Sequence, residues 1–139
     1  MSNPLFKSIK IYGVNVPLKS PVVAHIGKFE KWPFICIDIE TNSNLTGKSY
    51  IGPYLVDQLP AIAHCIKALS KKFLNRPIEP LLFYDECMRN ISLLGYQGVG
   101  IYALACLDIA FWDIHSKNLG KPLASVLGGS IKPIKAYNS

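Results

Sequence analysis

Charge is scarce in this chain: Asp, Glu, Lys and Arg make up 17% of its 139 residues, against about 25% in ordinary soluble domains. Half the residues are hydrophobic, which excludes an extended disordered segment, because such segments are polar and highly charged. No apolar run approaches the ~18 residues of a membrane span, so no membrane partner is expected. The first ten residues, MSNPLFKSIK, lack the apolar stretch of a signal peptide, and a cytoplasmic location is expected. Cysteine occurs four times, at Cys36, Cys65, Cys87 and Cys106, with no CxxC pair. That spacing argues against a zinc site and for reduced thiols that act as small hydrophobes. Internal repeats and low-complexity segments are also missing.

The net charge is +6, yet the lysines are scattered, and only Lys71 and Lys72 adjoin, with Arg76 near them. No aromatic platform is interleaved with them, so nucleic acid is not an expected partner. Gly95, Gly98 and Gly100 follow a helical pattern rather than a strand and lead into no GKS/T. A phosphate loop therefore fails on context. No Ser/His/Asp or Cys/His arrangement presents itself.

What the chain does have is order. Its length suits one domain, able to bury roughly 68% of its unfolded surface. Ile9 and Ile11, then Val14, Val16 and Leu18, alternate at period two, with a phase slip at Gly13 that suggests a β-bulge. Residues 33–41 alternate again, the polar run NSNLTG turns the chain, and a short strand follows over 48–51. Together these predict a three-stranded antiparallel sheet. Leu55, Leu59, Ile62, Ile66, Leu69 and Phe73 then recur at spacings of four and three, an amphipathic helix that Asp57 can cap, with Pro60 in its first turn. A second helix is expected over 80–94. Residues 100–117 predict a third that is apolar almost all round and therefore buried all round. Its Ala103, Cys106 and Ala110 are small enough for another helix to approach, and Asp113 and Lys117 face solvent. A short helical turn (PLASVL) and a final strand, IKPIKAYNS, complete the chain. The fold class is α+β.

In this order and spacing the sequence resembles the N-terminal capping domain of the enolase superfamily, in its mandelate racemase and muconate lactonizing subgroup. The matching stretches are VNVPL (14–18), IDIETNSNLTGKSY (37–50), LLGYQG (93–98), ALACLDIAFWDIHSKNLGKPLASVLGG (103–129) and KPIKAYNS (132–139). The resemblance implies a cap over 1–129, with 130–139 the first strand of a (β/α) barrel that this chain does not otherwise contain. In complete enzymes of this kind, Mg²⁺ on barrel carboxylates stabilises the enolate formed when a Lys or His base removes the proton α to a carboxylate. The metal carboxylates and the bases belong to barrel positions absent here. No catalytic or metal residue is therefore assigned in this chain, and no cofactor is expected in it, with Mg²⁺ implied only for the complete enzyme. Asn44 stands where the family usually turns on glycine, and since Asn tolerates the left-handed region the hairpin should survive.

Three residues are candidates for contact with substrate. His25 lies on the connection 21–33, which also carries Phe29 and Trp32 and which the resemblance makes a lid. Its bland reading is a solvated loop histidine. Tyr54 matches a position facing the substrate pocket, set against simple packing on the first helical turn. Ser139 would sit at the end of the first barrel strand. Asp108, between two apolar sectors of the third helix, needs donors or a proton, and a structural hydrogen bond is expected for it rather than acid catalysis. The function expected is thus the specificity cap of a racemase, dehydratase or cycloisomerase acting on a small carboxylate, inactive alone. Its partner would be the barrel, or further copies joined through exposed apolar surface. The alternatives are a free-standing interaction module or a truncated product without activity.

Overall fold

A computed structural model describes residues 3–137 of the chain. Three strands, β1 (Phe6–Ala24), β2 (Gly27–Thr41) and β3 (Thr46–Ile51), form an antiparallel sheet in the order β1-β2-β3. Four helices follow: α1 (Leu59–Ser70), α2 (Pro80–Ile91), α3 (Val99–Asn118) and α4 (Leu123–Val126). The α+β class and the antiparallel sheet match the sequence expectation.

The alternation of β2 sets the layers. Ile35, Ile37 and Ile39 are buried against the helices, while Trp32, Phe34, Cys36 and Asp38 point the other way. On the helical side, Ile62, Ile66, Leu69 and Phe73 of the predicted stripe are all buried, as are Phe83, Cys87 and Ile91 of α2. Phe6, Phe73, Phe83 and Phe111 meet at the centre, with Phe83 stacked on Phe111 at 4.2 Å and Phe73 edge-on to Phe83 at 4.8 Å. The turn between β2 and β3 keeps Asn44 at φ 61°, and Thr41 Oγ1 donates to the Leu45 carbonyl at 2.8 Å.

Several local expectations need correction. Gly13 pairs in register with Ile35, and the register breaks fall at Phe6/Ser8 and Pro17/Val22. The change of phase at Gly13 therefore moves the apolar residues to the opposite face instead of marking a bulge. The connection over 21–33 is not a loop: β1 and β2 continue pairing out to Ala24 and Gly27, so only His25 and Ile26 turn. Asp57 sits in a single 3-10 turn, Val56–Gln58, and α1 starts without a side-chain cap. Segment 129–137 forms no strand, because a strand exists only through pairing and none of the described residues pairs with it.

Helix α3 is long and apolar enough to cross a membrane, contrary to the reading of its short apolar runs. Its Ala103, Leu104, Cys106, Leu107, Ala110, Phe111 and Ile114 are nevertheless buried in the protein core. Cys106 and Ala110 of the small sector are met by β3, while α1 and α2 pack on the same helix. Ser49 Oγ donates to the Cys106 carbonyl at 2.5 Å, and a Cβ on Gly47 would collide with the Ala110 carbonyl and the Ile114 side chain. Asp113 and Lys117 do more than face solvent. Asp113 Oδ2 accepts from the Lys48 backbone N–H at 2.8 Å, and Lys117 Nζ donates to the Thr46 carbonyl at 2.7 Å. The ion pair between them, at 2.6 Å, closes the outer edge of β3.

Candidate functional site

Beyond Pro33 the β1–β2 ribbon leaves the core. Val22, Val23 and Ile26 are exposed along it, and Lys28 and Glu30 pair at 2.8 Å in water. At the root of this ribbon four residues converge. Trp32 lies edge-on to Tyr54 at 5.4 Å and to Phe29 at 5.9 Å. Gly52 makes room: a Cβ there would sit 3.3 Å from Trp32 Nε1 and from the Phe34 ring. Tyr54 holds φ 65°, a left-handed conformation that costs a non-glycine residue of order 1–3 kcal/mol. The turn after β3 thereby aims its ring at Trp32.

Tyr54 is 59% exposed and borders two clefts. One, of about 340 Å³, is lined on the ribbon side by Asn15, Phe29, Glu30 and Lys31 and on the helix side by Leu55–Gln58. The other, of about 530 Å³, lies between the end of β3 and Tyr102 and Ile109 of α3. Both are open and mostly apolar, with a few charged groups at the rim. Such surfaces can bind, orient and exclude water. They hold no nucleophile–base pair among the described residues.

Of the expected site residues, Tyr54 is at this root and packs on Trp32. His25 is at the ribbon tip, exposed, and roughly 20 Å along the strand from Trp32 at ~3.3 Å per residue, so the two are not brought together. Ser139 lies outside the described residues. Trp32, expected only as part of a lid, and Gly52, not singled out in the sequence, are the residues packed around Tyr54 here. The available signal was a tryptophan and a phenylalanine among lysines, followed downstream by GPY.

The remaining titratable groups are structural. Burial pushes the Cys87 thiol up to about 12 and the Cys106 thiol up to about 11, so neither is a nucleophile near neutral pH. Cys36, half-buried on the other side of the sheet, is raised by burial and then by Asp38. The hydrogen bond expected for Asp108 is incomplete: its Oδ1 is buried without a partner. Burial raises its pKa, and Trp112 pulls it back in part. No group of three His, Cys, Asp or Glu side chains among the described residues could hold a metal ion.

Residues 7–128 match the family described as mandelate racemase / muconate lactonizing enzyme, N-terminal domain. The crystal structure of an enolase from Bradyrhizobium, complexed with magnesium and mandelic acid, superposes with a TM-score of 0.90 at 30% identity. That superposition covers 99% of this chain and 38% of that one. Arabinonate dehydratase of Saccharolobus solfataricus is 29% identical over 105 residues, 74% of this chain and 28% of its own length. The o-succinylbenzoate synthase of Geobacillus kaustophilus is 27% identical over 126 residues, 88% of this chain and 32% of its own. The chain thus spans about a third of the length of the relatives it matches. The match over residues 7–128 and the shared sheet and helical layer identify a capping domain of the enolase superfamily: this chain belongs to the mandelate racemase / muconate lactonizing enzyme N-terminal domain family.

Proposed function

We propose that this chain acts as the specificity cap of an enzyme that removes the proton α to a carboxylate, with the chemistry carried by a barrel domain. The observation that carries the reading is the aromatic root of the projecting ribbon. Trp32 and Tyr54 lie at the junction of ribbon, β3 and helical layer, where a surface can close over a ligand held by another body. The relatives support the reaction class, since they are named as a dehydratase, a synthase and an enolase complexed with magnesium and mandelic acid.

Magnesium, in that reading, supplies charge stabilisation to an enolate. The described residues do not fit it, because three carboxylate or imidazole ligands are nowhere gathered. This chain's own share is binding. Tyr54 and Trp32 offer an apolar wall with a hydroxyl and an indole N–H, and His25 on the ribbon tip reaches furthest over a covered substrate. Ser139 would add a hydroxyl beside the substrate carboxylate. The location proposed is cytoplasmic.

Purified alone with magnesium and a panel of sugar acids and mandelate, the chain is expected to show no turnover. Sustained turnover by the chain itself overturns the reading. In a polypeptide that joins this cap to a barrel, Tyr54→Ala should raise KM about tenfold, the loss of ~1.4 kcal/mol of binding, with kcat changed less. An unchanged KM would remove Tyr54 from the site.

A further inference from the structure

A further cavity, which shares no lining residue with the two clefts at Tyr54, is walled by the three long helices. Its volume of about 390 Å³ suits a small molecule. Cys65, Ala68 and Leu69 of α1 form one wall, and Lys72 carries that stripe on into the single 3-10 turn Lys71–Phe73. Ile91 at the end of α2 and Val99 and Gly100 at the start of α3 form the other. The connection between α2 and α3 borders the cavity through Leu94, Gly95 and Gln97. Leu94 is 85% exposed there, so an apolar body seated against α1 would take it out of water. The polar groups gather around Lys72. Its Nζ donates to Asn90 Oδ1, and Asn90 Nδ2 donates to the Glu86 carbonyl at 2.8 Å, which holds the amide oxygen toward the lysine. Among the described residues no carboxylate pairs with Lys72. Glu86, one turn before Asn90, is taken by both terminal nitrogens of Arg76, at 2.9 and 2.6 Å.

We propose that this cavity binds a small amphiphilic monocarboxylate, its chain lying between α1 and the α2–α3 connection and its head on Lys72. Charge complementarity selects the occupant. An ammonium has three donors, and Asn90 engages one, so the others are available to an anion. Lys67 and Lys71, both exposed, raise the positive potential beside it. A single lysine is a point charge that suits a singly charged head, and the apolar walls require that the head carry a chain. Length agrees with this. Seven positions separate Cys65 from Lys72, roughly 10 Å at ~1.5 Å per residue. That is about the reach of an extended chain of eight carbons with bonds of ~1.5 Å. None of these residues belongs to the aromatic root, so the inference stands apart from the enzyme reading.

Titration of the isotope-labelled 139-residue chain with octanoate, followed by NMR, tests this. The expected result is saturable binding of one octanoate per chain with Kd below about 1 mM, the largest amide shifts falling on Ala68, Leu94, Val99 and Gly100. Octanol, the neutral counterpart, should bind at least tenfold more weakly. Lys72→Met should weaken octanoate at least tenfold and leave octanol unchanged, whereas Lys67→Met, which removes the same charge one helical turn away, should change octanoate less than threefold. Ala68→Phe should fill the cavity and abolish binding of both ligands with unchanged circular dichroism, and Ala68→Leu supplies the same comparison if the phenylalanine misfolds. The proposal is overturned by shifts that do not saturate or that centre on the sheet, by equal affinity for octanoate and octanol, by equal losses in Lys67→Met and Lys72→Met, or by binding that survives in a folded cavity-filling variant.

Discussion

Asp108 shows how one atom shapes the pH response of the molecule. Its Oδ1 is buried with nothing to bond, and burial raises its pKa above the ordinary carboxylate value. A carboxyl whose folded pKa exceeds its unfolded one holds its proton more tightly when folded. Its contribution to stability is complete below about pH 4, the unfolded value, and is lost as pH rises through the folded pKa. Asp108→Asn should therefore melt roughly 2–6 °C higher than the parent at neutral pH, with the difference vanishing below about pH 4. Calorimetry across pH reads this directly, and a variant that melts lower at neutral pH would show that the charged form is stabilised after all.

At the scale of elements, the ribbon and the helices are stabilised differently. Residues 33–41 of β2 alternate into a core of isoleucines, whereas the paired stretch over 17–31 has no core on either face. Two-stranded ribbons in water are marginal. Backbone amides beyond Pro33 toward the tip should exchange with solvent at least a hundredfold faster than those of Ile35, Ile37 and Ile39. Hydrogen exchange followed by NMR measures the gradient, and uniform protection along β2 would refute it. The same physics explains what the sequence disclosed. The stripe from Ile62 to Phe73 and the alternation of β2 were legible because each buries one face. The ribbon was not, because strands exposed on both sides carry no alternation to read, and the stretch from Pro21 to Pro33 read as a connection between strands. The all-apolar pattern of α3 announced burial but not its neighbour. Helical periodicity records which face is covered, not by what, and it is Gly47, small at the right place, that lets β3 cover one side of α3 beside α1 and α2. The candidate site was half legible for a similar reason. Tyr54 could be placed from its resemblance, but its contact with Trp32 depends on a left-handed backbone that a tyrosine does not advertise.

For the molecule as a whole, one continuous core joins sheet and helices through Phe6, Phe73, Phe83 and Phe111. Unfolding should be a single cooperative transition. Far-ultraviolet circular dichroism and the fluorescence of Trp112, isolated by Trp32→Phe, should give coincident urea midpoints. Separated midpoints would mean that the helical layer folds apart from the sheet.

The lock that Asp113 and Lys117 place on β3 also limits how far this protein can grow by sheet extension. Fibrils lengthen only when every molecule offers two unsatisfied rails, one to receive a neighbour and one to pass the ladder on. Here the start of one rail is held by Asp113 and Lys117 at Lys48 and Thr46, and the start of the other is occupied by the chain's own segment around Arg76, whose carbonyl accepts the Phe6 N–H at 2.9 Å. The ribbon carries no such lock, since Gly27–Phe34 of β2 pairs with β1 alone, and there it is Pro17, Pro21 and Pro33, each lacking a backbone donor, that interrupt an added ladder.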